Sequence, residues 1–204
     1  MKSLNYVVHG AGGIGCVIAS RLANAGRKVQ LVARGAHLEA LRSHGLKVTQ
    51  NTEGRWRLPA SATAHDLDLD DRTVVLLAMK TDDTFAAVRH HSLLYQELPI
   101  VCFQNGVSNE EWLSKEGYRT YGCTVMVGAE IVEPGTVRHS GGRLLEIGCW
   151  PTGNDPISRE LVSDLIDGGM KAAVDDRVID GKWGKLVRNL INAYLALVNL
   201  SVQE

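Results

Sequence analysis

The sequence predicts an α/β fold built around a parallel sheet, and two observations support this. Short apolar runs typical of strands alternate with helical patterns through the first half of the chain. One of these runs, Thr73–Ala78, is almost wholly apolar, as expected of a strand that is covered on both faces. The 204 residues suffice for one complete domain and part of a second. We therefore predict a first domain over residues 1–175 and the start of a helical domain over 176–204.

The elements of the first half follow one another in the order strand, helix, strand. The predicted strands are Asn5–His9, Lys28–Ala33, Leu46–Gln50, Thr73–Ala78 and Ile100–Phe103. The predicted helices are Ile14–Ala25, His37–Ser43 and Phe85–Leu94. Between them, Asn51–Leu58 is predicted as a hairpin turn with a return strand, and the acidic run His65–Asp71 as a solvated loop.

Beyond residue 117 the pattern changes to strands separated by turns. Pro134-Gly135 and Gly141-Gly142 divide three strand-like stretches, which are Tyr121–Glu133, Gly135–Ser140 and Arg143–Cys149. This pattern predicts an antiparallel extension of the sheet. A helix over Ile157–Ile166 and a short strand over Lys171–Val174 follow, and the chain is strongly helical from Asp176 onward.

Composition excludes several classes of partner. The 22 Lys and Arg residues are balanced by 23 Asp and Glu, which gives no reason to expect nucleic acid or an anionic membrane. No apolar run approaches the ~20 residues that span a bilayer. The four cysteines form no Cys-x-x-Cys pair and are predicted to be reduced core residues of a cytoplasmic protein. Only His90 and His91 cluster among the histidines, so we predict no metal site and expect this pair on the solvated surface.

A glycine motif follows the first strand directly. Gly10-Ala11-Gly12-Gly13-Ile14-Gly15 has the Gly-x-Gly-x-x-Gly spacing and opens a helix. In this setting Gly10 allows a tight turn, Gly12 lets the backbone approach a pyrophosphate, and Gly15 lets the helix pack on the strand. Phosphates bind at such a helix N-terminus because its free N–H groups and dipole favour an anion. The motif predicts a Rossmann-type dinucleotide site; a glycine-rich turn without a ligand is the alternative.

The end of the second strand indicates which dinucleotide binds. NAD-binding folds usually carry Asp or Glu there, about 20 residues past the glycines, to hold the ribose 2′-hydroxyl. This chain has Arg34, whose guanidinium suits a 2′-phosphate. We therefore predict NADP(H) as the cofactor, with an Arg34 that merely begins a surface helix as the alternative.

Three further motifs lie in order along the chain. They are Met79-Lys80-Thr81, Phe103-Gln104-Asn105-Gly106-Val107 and Trp183-Gly184-Lys185-Leu186-Val187-Arg188-Asn189. Together with the glycine motif and the strand-turn Ala129–Gly135, they resemble the ketopantoate reductase (2-dehydropantoate 2-reductase) family over essentially the whole chain.

The resemblance implies a function and a set of site residues. It implies that an NADPH-binding domain and a helical domain enclose a 2-oxo acid, and that ketopantoate is reduced to pantoate. Lys80 would lie beside the cofactor, and Asn105 would contact both cofactor and substrate. Lys185 matches the catalytic lysine and Asn189 a substrate-binding asparagine, while Gly128 matches a small residue that lets the cofactor approach the backbone.

The C-terminal helical pattern supports these assignments independently. At about 100° per residue, Lys185, Asn189 and Asn192 fall on one narrow stripe. A stripe of leucines that includes Leu186 and Leu190 lies about 90° around the helix. Polar groups beside an apolar face are costly to bury unless something bonds them, and a ketone and a carboxylate would do so. A solvated helix flank is the alternative.

Two departures from the family pattern leave other functions open. The family often has an asparagine where this chain has Ala193, with Asn192 one place earlier, and the chain stops at Glu204, after what would be the first helix of the helical domain. We therefore expect most of that domain to be missing. The alternatives are a non-catalytic NADP-binding module or fragment, and a related reductase for a different 2-oxo acid. The uncovered leucine stripe suggests a homodimer through the C-terminal helix.

Overall fold

The structure is a computed structural model that describes residues 3–197, with the side chains of residues 192, 193 and 195–197 outside that description. Ten strands form one mixed sheet: β1 Asn5–His9, β2 Lys28–Val32, β3 Leu46–Gln50, β4 Gly54–Trp56, β5 Ala60–Ser61, β6 Thr73–Leu77, β7 Ile100–Cys102, β8 Thr120–Glu133, β9 Thr136–Cys149 and β10 Lys171–Val174. The helices are α1 Gly13–Asn24, α2 Gly35–His44, α3 Thr81–His90, α4 Ser92–Tyr95, α5 Ser108–Lys115, α6 Pro156–Asp167 and α7 Val178–Leu197, with a 3₁₀ turn at Ala64–Asp66.

The strand order confirms the predicted α/β fold of Rossmann type. Across the sheet the order is β4-β3-β9-β8-β7-β6-β1-β2-β5, and β10 pairs with β9. The central strands β2, β1, β6, β7 and the beginning of β8 are parallel. The long strands β8 and β9 pair antiparallel and form the predicted extension. The carboxyl ends of β1, β6 and β7 therefore meet at one edge of the sheet, where ligands bind in open α/β folds.

Alternating side chains of the central strands fill two separate cores. Tyr6 and Val8 of β1 lie in one core with α1, whereas Val7 lies in the other with Val88 of α3 and Leu113 of α5. Because side chains of a strand point alternately to its two faces, both faces of β1 are covered. The centre of the sheet is thus packed on both faces, and the glycine turn follows directly from it.

The sequence prediction for the region after β6 was partly wrong. Instead of one helix over Phe85–Leu94, α3 begins at Thr81 and ends before His91, and the short α4 follows. Asp82 and Asp83 lie in the first turn of α3, where carboxylates stabilise the positive end of a helix dipole. The helix α5, which has Glu110 in its first turn, was not predicted.

The predicted turn at Gly141-Gly142 is instead part of β9, which continues through both glycines. Gly128 of β8 lies opposite Gly141, and the register shifts on either side of Gly128. Such a shift is a bulge, which absorbs an extra residue without ending the strand. Gly142 has a positive φ of 70°, which accounts for its turn-like composition. The predicted break between two strands is therefore a bulge within one long hairpin.

The last described helix, α7, packs against β8 and β9 and leaves one side open. Val178 and Lys182 are buried against the sheet. The exposed side is an α7 apolar face, made up of residues between 51% and 64% exposed: Trp183, Val187, Leu190, Ile191 and Tyr194. None of the helices in residues 3–197 combines the length and the hydropathy of a membrane-spanning segment. The domain boundary after residue 175, just before α7, stays a prediction.

Candidate functional site

The glycine turn after β1 presents bare backbone to open space. Gly10 has a φ of 101°, and its N–H and that of Ala11 donate to the Val32 carbonyl of β2. The helix α1 begins at Gly13 with Gly12 as its N-cap, and its first turn contains no acidic residue. A Cβ placed on Gly12 would meet nothing within 4 Å. A helix N-terminus that is open and free of carboxylates fits a phosphate group.

Two other glycines are required by packing. A Cβ on Gly13 would lie 2.6 Å from the Ala129 carbonyl oxygen of β8, and one on Gly15 would lie 2.9 Å from Val8 Cγ1. Gly15 therefore allows α1 to approach β1, and Gly13 allows β8 to cross the turn. Gly128 has a different reason to be glycine, because a Cβ there would lie 2.8 Å from Ser140 Oγ on the facing strand.

A cleft of about 800 Å³ opens in front of this turn. It is bounded by the turn, the ends of β2 and β6, the N-terminus of α2, one side of α3 and part of β8. Its walls include Gly10, Ala11, Gly12, Gly13, Ile14, Arg34, His37, Lys80, Asp83, His90, His91, Ala129 and Ile131. Seven of the predicted cofactor residues thus line one cleft. The other three do not line it: Gly15 lies behind the turn, Gly128 is represented by its neighbour Ala129, and Asn105 lies outside the cleft.

Arg34 lies at the mouth of this cleft, paired with a carboxylate. Its guanidinium is largely exposed and lies 2.9 Å from Asp83 Oδ2 of α3. Arg34 is also the residue that precedes α2, so the N–H groups of that helix begin beside it. The sequence did not indicate Asp83, because the two residues are 49 positions apart. Exposed pairs of this kind contribute little stability and exchange partners easily.

Three histidines come together beside the cleft, and two of them, His90 and His91, line it; the prediction of a solvated pair was wrong for His91. His91 is buried; its Nδ1 is 2.8 Å from the Ala87 carbonyl, and its Nε2 accepts the Ala64 N–H at 3.1 Å. His65, His90 and His91 have ring nitrogens within 4.8 Å of one another, a spacing that could hold a metal ion. Because His91 Nδ1 contacts the Ala87 carbonyl, a metal on Nε2 would have to displace the Ala64 N–H and the Thr63 hydroxyl, which lies 2.9 Å away. The absence of a metal site stays a prediction.

His9 forms part of the same wall and was not singled out from the sequence. It ends β1, is 7% exposed, and its Nδ1 lies 2.9 Å from the Tyr95 hydroxyl. Burial, and then the neighbouring His91 and His90 rings, lower its pKa to about 3. The imidazole is therefore neutral at ordinary pH, and it adds no charge to the cleft.

The second part of the site joins α7 to the loop after β7. Lys185 Nζ donates to Asn105 Oδ1 at 2.7 Å and also to the Val125 carbonyl of β8. The two predicted residues are 80 positions apart in the chain, and the fold brings them into direct contact. Burial lowers the pKa of the half-buried Lys185 amine, and the positive charges of Lys182 and Arg188 lower it further.

The other predicted site residues have no direct contact with the Lys185–Asn105 pair among the described interactions. Asn189 lies one helical turn after Lys185 and is half-buried. The side chain of Asn192 lies outside the described residues. Lys80 directly precedes α3 at the carboxyl end of β6; it is exposed and lines the cleft. The functional roles of all these residues stay predictions.

A buried ion pair beneath Lys185 and Asn105 was missed by the sequence analysis. Lys182 is 4% exposed and Glu110 is fully buried, and the two form a salt bridge. Lys182 Nζ also donates to the Gln104 carbonyl at 2.9 Å. The only hint in the sequence is that Lys182 stands three residues before Lys185, on the same side of the helix.

The glycine turn, the cleft at the sheet edge and the long hairpin define a Rossmann-type α/β protein. The family model described as ketopantoate reductase PanE/ApbA matches residues 6–152. The chain therefore belongs to the ketopantoate reductase family, which confirms the resemblance seen in its motifs. A 2-dehydropantoate 2-reductase of Pyrococcus horikoshii is 29% identical over 205 residues, which cover 98% of this chain and 67% of that protein.

Solved structures share the fold. The 2-dehydropantoate 2-reductase from Methylococcus capsulatus matches with a TM-score of 0.87 at 22% identity, over 97% of this chain and 65% of that one. A D-mandelate dehydrogenase, solved as a ternary structure with NADH and anilino(oxo)acetate, matches with a TM-score of 0.76 at 20% identity, over 89% of this chain and 60% of that one. The chain thus spans about two thirds of the length of the proteins it matches.

Proposed function

We propose that this chain belongs to an enzyme that reduces a 2-oxo acid with NADPH, and that the substrate is ketopantoate. The observation that carries the proposal is the 2.7 Å hydrogen bond between Lys185 and Asn105, at the sheet edge onto which the glycine turn also opens. A lysine ammonium held by an amide at such an edge can donate a proton to a substrate oxygen. The 2-dehydropantoate 2-reductases named among its relatives support ketopantoate as the substrate.

The cofactor would be held by the glycine turn. The N–H groups at the start of α1 would bind its phosphates, and Lys80 and Ala129 line the same cleft. A nicotinamide cofactor is supported by the family and by the NADH of the D-mandelate dehydrogenase. NADP(H) in particular is supported by Arg34, whose guanidinium would exchange Asp83 for a 2′-phosphate. Arg34→Asp should weaken NADPH binding much more than NADH binding, and an unaltered NADPH affinity would rule out this role.

The residues of the chain supply the proton and the orientation. When bound, the reduced nicotinamide supplies the hydride that the ketone carbon accepts. The Lys185 ammonium stabilises the growing negative charge on the ketone oxygen and transfers its proton there. Its lowered pKa brings the amine closer to the range in which it can donate and regain a proton at neutral pH. The side-chain oxygen of Asn105 accepts a hydrogen bond from the Lys185 ammonium, which leaves the N–H groups of the Asn105 amide free for the substrate. Asn189 and Asn192 would bind the rest of the substrate.

The test is turnover in a lysine variant. Lys185→Ala should abolish NADPH oxidation with ketopantoate while NADPH binding, followed by its fluorescence, stays within about twofold, because the cleft residues are untouched. Lys115→Ala is the matched control, since Lys115 is an exposed lysine on α5 whose partner among the described residues is Glu111. Full turnover by Lys185→Ala would overturn the assignment.

The cleft in front of the glycine turn gives a second candidate function. The described residues that line it include neither Lys185 nor Asn105, so the chain could act as a nicotinamide-binding module without turnover. Binding of NADPH without oxidation on a panel of 2-oxo acids would support the module, and turnover of another acid in preference to ketopantoate would support a different substrate.

We also propose that the chain forms a homodimer through the α7 apolar face. The free thiols of Cys16, Cys102 and Cys123 are buried, and from them we propose a cytoplasmic location.

A further inference from the structure

The Lys182–Glu110 ion pair is an expensive feature for a small protein. Both side chains are almost fully buried, and Glu110 Oε2 has no hydrogen-bond partner among the described residues. Removing two charges from water is energetically costly, and an incompletely bonded pair recovers this cost only in part. A pair of apolar side chains would hold α5 and α7 together at least as well. The position of the Lys182–Glu110 pair therefore needs an explanation other than stability.

The pair lies directly under the two residues of the proposed reaction. Lys182 Nζ bonds the carbonyl of Gln104, and the next residue is Asn105, whose amide oxygen accepts from Lys185. Lys182 and Lys185 stand one turn apart on the same helix. Glu110 reaches this point from the first turn of α5, where the helix dipole favours a carboxylate. One ammonium thus connects α5, the loop after β7 and α7.

We propose that Lys182, paired with Glu110, is a positioning residue: it fixes the Lys185–Asn105 pair and places a second positive charge beside the Lys185 amine. This inference rests on the proposed role of Lys185. The groups that face the Lys185 amine are Lys182 and Arg188 from α7 and the Cys123 thiol from β8. Among the two cations, Lys182 is buried and Arg188 is exposed. The charge of Lys182 is therefore screened less by water and acts more strongly on Lys185.

The titration of Lys185 in the full chain tests this directly. The acetylation rate of the Lys185 amine by acetic anhydride would be followed against pH by peptide mass spectrometry, since only the neutral amine reacts. Lys182→Met should raise the pKa of Lys185, because a positive charge is removed, and the acetylation rate at neutral pH should fall several-fold. Lys182→Arg keeps the charge and should leave the titration close to that of the parent chain.

Two further variants separate the effect from damage to the fold. Lys182→Met with Glu110→Gln leaves no unpaired buried charge, so the fold should be retained while the pKa of Lys185 still rises. Arg188→Met removes an exposed cation that follows Lys185 by three residues, just as Lys182 precedes it by three. This change should shift the pKa of Lys185 less than Lys182→Met does. An unchanged Lys185 titration in the folded double variant, or an equal shift from Arg188→Met, would overturn the proposal.

Turnover distinguishes this inference from the proposed function. If the chain reduces ketopantoate, Lys182→Met should lower kcat and move its pH profile upward, with NADPH affinity unchanged, and Lys182→Arg should restore most of the rate. An unmoved kcat profile in an active Lys182→Met variant would overturn the positioning role. If the parent chain shows no turnover, the proposed reaction fails for this chain, whereas the amine titration still decides whether Lys182 acts on Lys185.

Discussion

Replacing His9 with Gln should flatten the pH dependence of folding stability on the acidic side of neutrality. His9 ends β1 at the base of the cleft, where burial and the adjacent rings of His91 and His90 lower its pKa to about 3. In the unfolded chain a histidine has a pKa of about 6.5. Between these two values the unfolded chain binds a proton that the folded chain does not bind.

The size of the effect follows from this difference. Stability is lost as the pH falls through about 6.5, because only the unfolded state is then protonated, and the loss continues until the pH nears the folded pKa of about 3. The slope in this range is about 1.4 kcal/mol per pH unit. Between about pH 7.5 and pH 5 the free energy of unfolding should therefore fall by about 2 kcal/mol through His9 alone.

Urea unfolding at these two pH values measures the effect. The loss of stability should be smaller in His9→Gln than in the parent chain by about 2 kcal/mol. Any constant cost of the weakened contact to Tyr95 cancels in this comparison, because it is present at both pH values. His44→Gln, which changes an exposed histidine at the end of α2, should behave like the parent chain. An equal loss of stability in His9→Gln and in the parent chain would refute the reasoning.

Three further predictions concern the cleft and the α7 apolar face. Gly12→Ala should fold normally, since the added methyl group meets no atom within 4 Å, but the methyl should keep the phosphates from the backbone and lower NADPH affinity at least about tenfold in calorimetric titrations. Gly141→Ala, which also adds a methyl group into open space but lies outside the cleft, should leave the affinity unchanged. Asp83→Asn should free Arg34 and raise NADPH affinity a few-fold in fluorescence titrations; an equal gain for NADH would contradict an Arg34 contact to the 2′-phosphate. Leu190→Glu should convert a sedimenting dimer to monomer, and an unchanged sedimentation coefficient would exclude this interface.

Local chemistry made the glycine turn and the central strands predictable. The φ of 101° at Gly10 and the open space at Gly12 are properties of a few adjacent residues, so the motif alone indicates them. The almost wholly apolar β6 likewise indicates its burial on both faces without reference to any other segment. The Lys185–Asn105 contact was expected only through the resemblance to a family, because nothing local connects residues 80 positions apart.

The features that were missed depend on distant partners. Glu110 lies among polar residues of α5 and has the composition of a surface position; only Lys182, 72 residues away, explains its burial. His91 likewise depends on Ala64, whose N–H it accepts across 27 positions. At Gly141 the composition does indicate a turn, but the pairing of β9 with β8 on both sides continues the strand. Tertiary pairing overrides local preference in each case.

The place of β3 in the sheet affects how the chain folds during synthesis. Its parallel partner is β9, and Lys47 pairs with Thr136, about 90 residues further along the chain. At about 5–20 residues per second, a ribosome would need roughly 5–20 seconds to produce that partner. The return strand β4 can pair with one edge of β3 at once, but the backbone N–H and C=O groups of the other edge stay unpaired for that time. The pairing of β3 with β9 is therefore a late step of folding. Until it forms, the nascent chain offers an open strand edge to chaperones and to other chains.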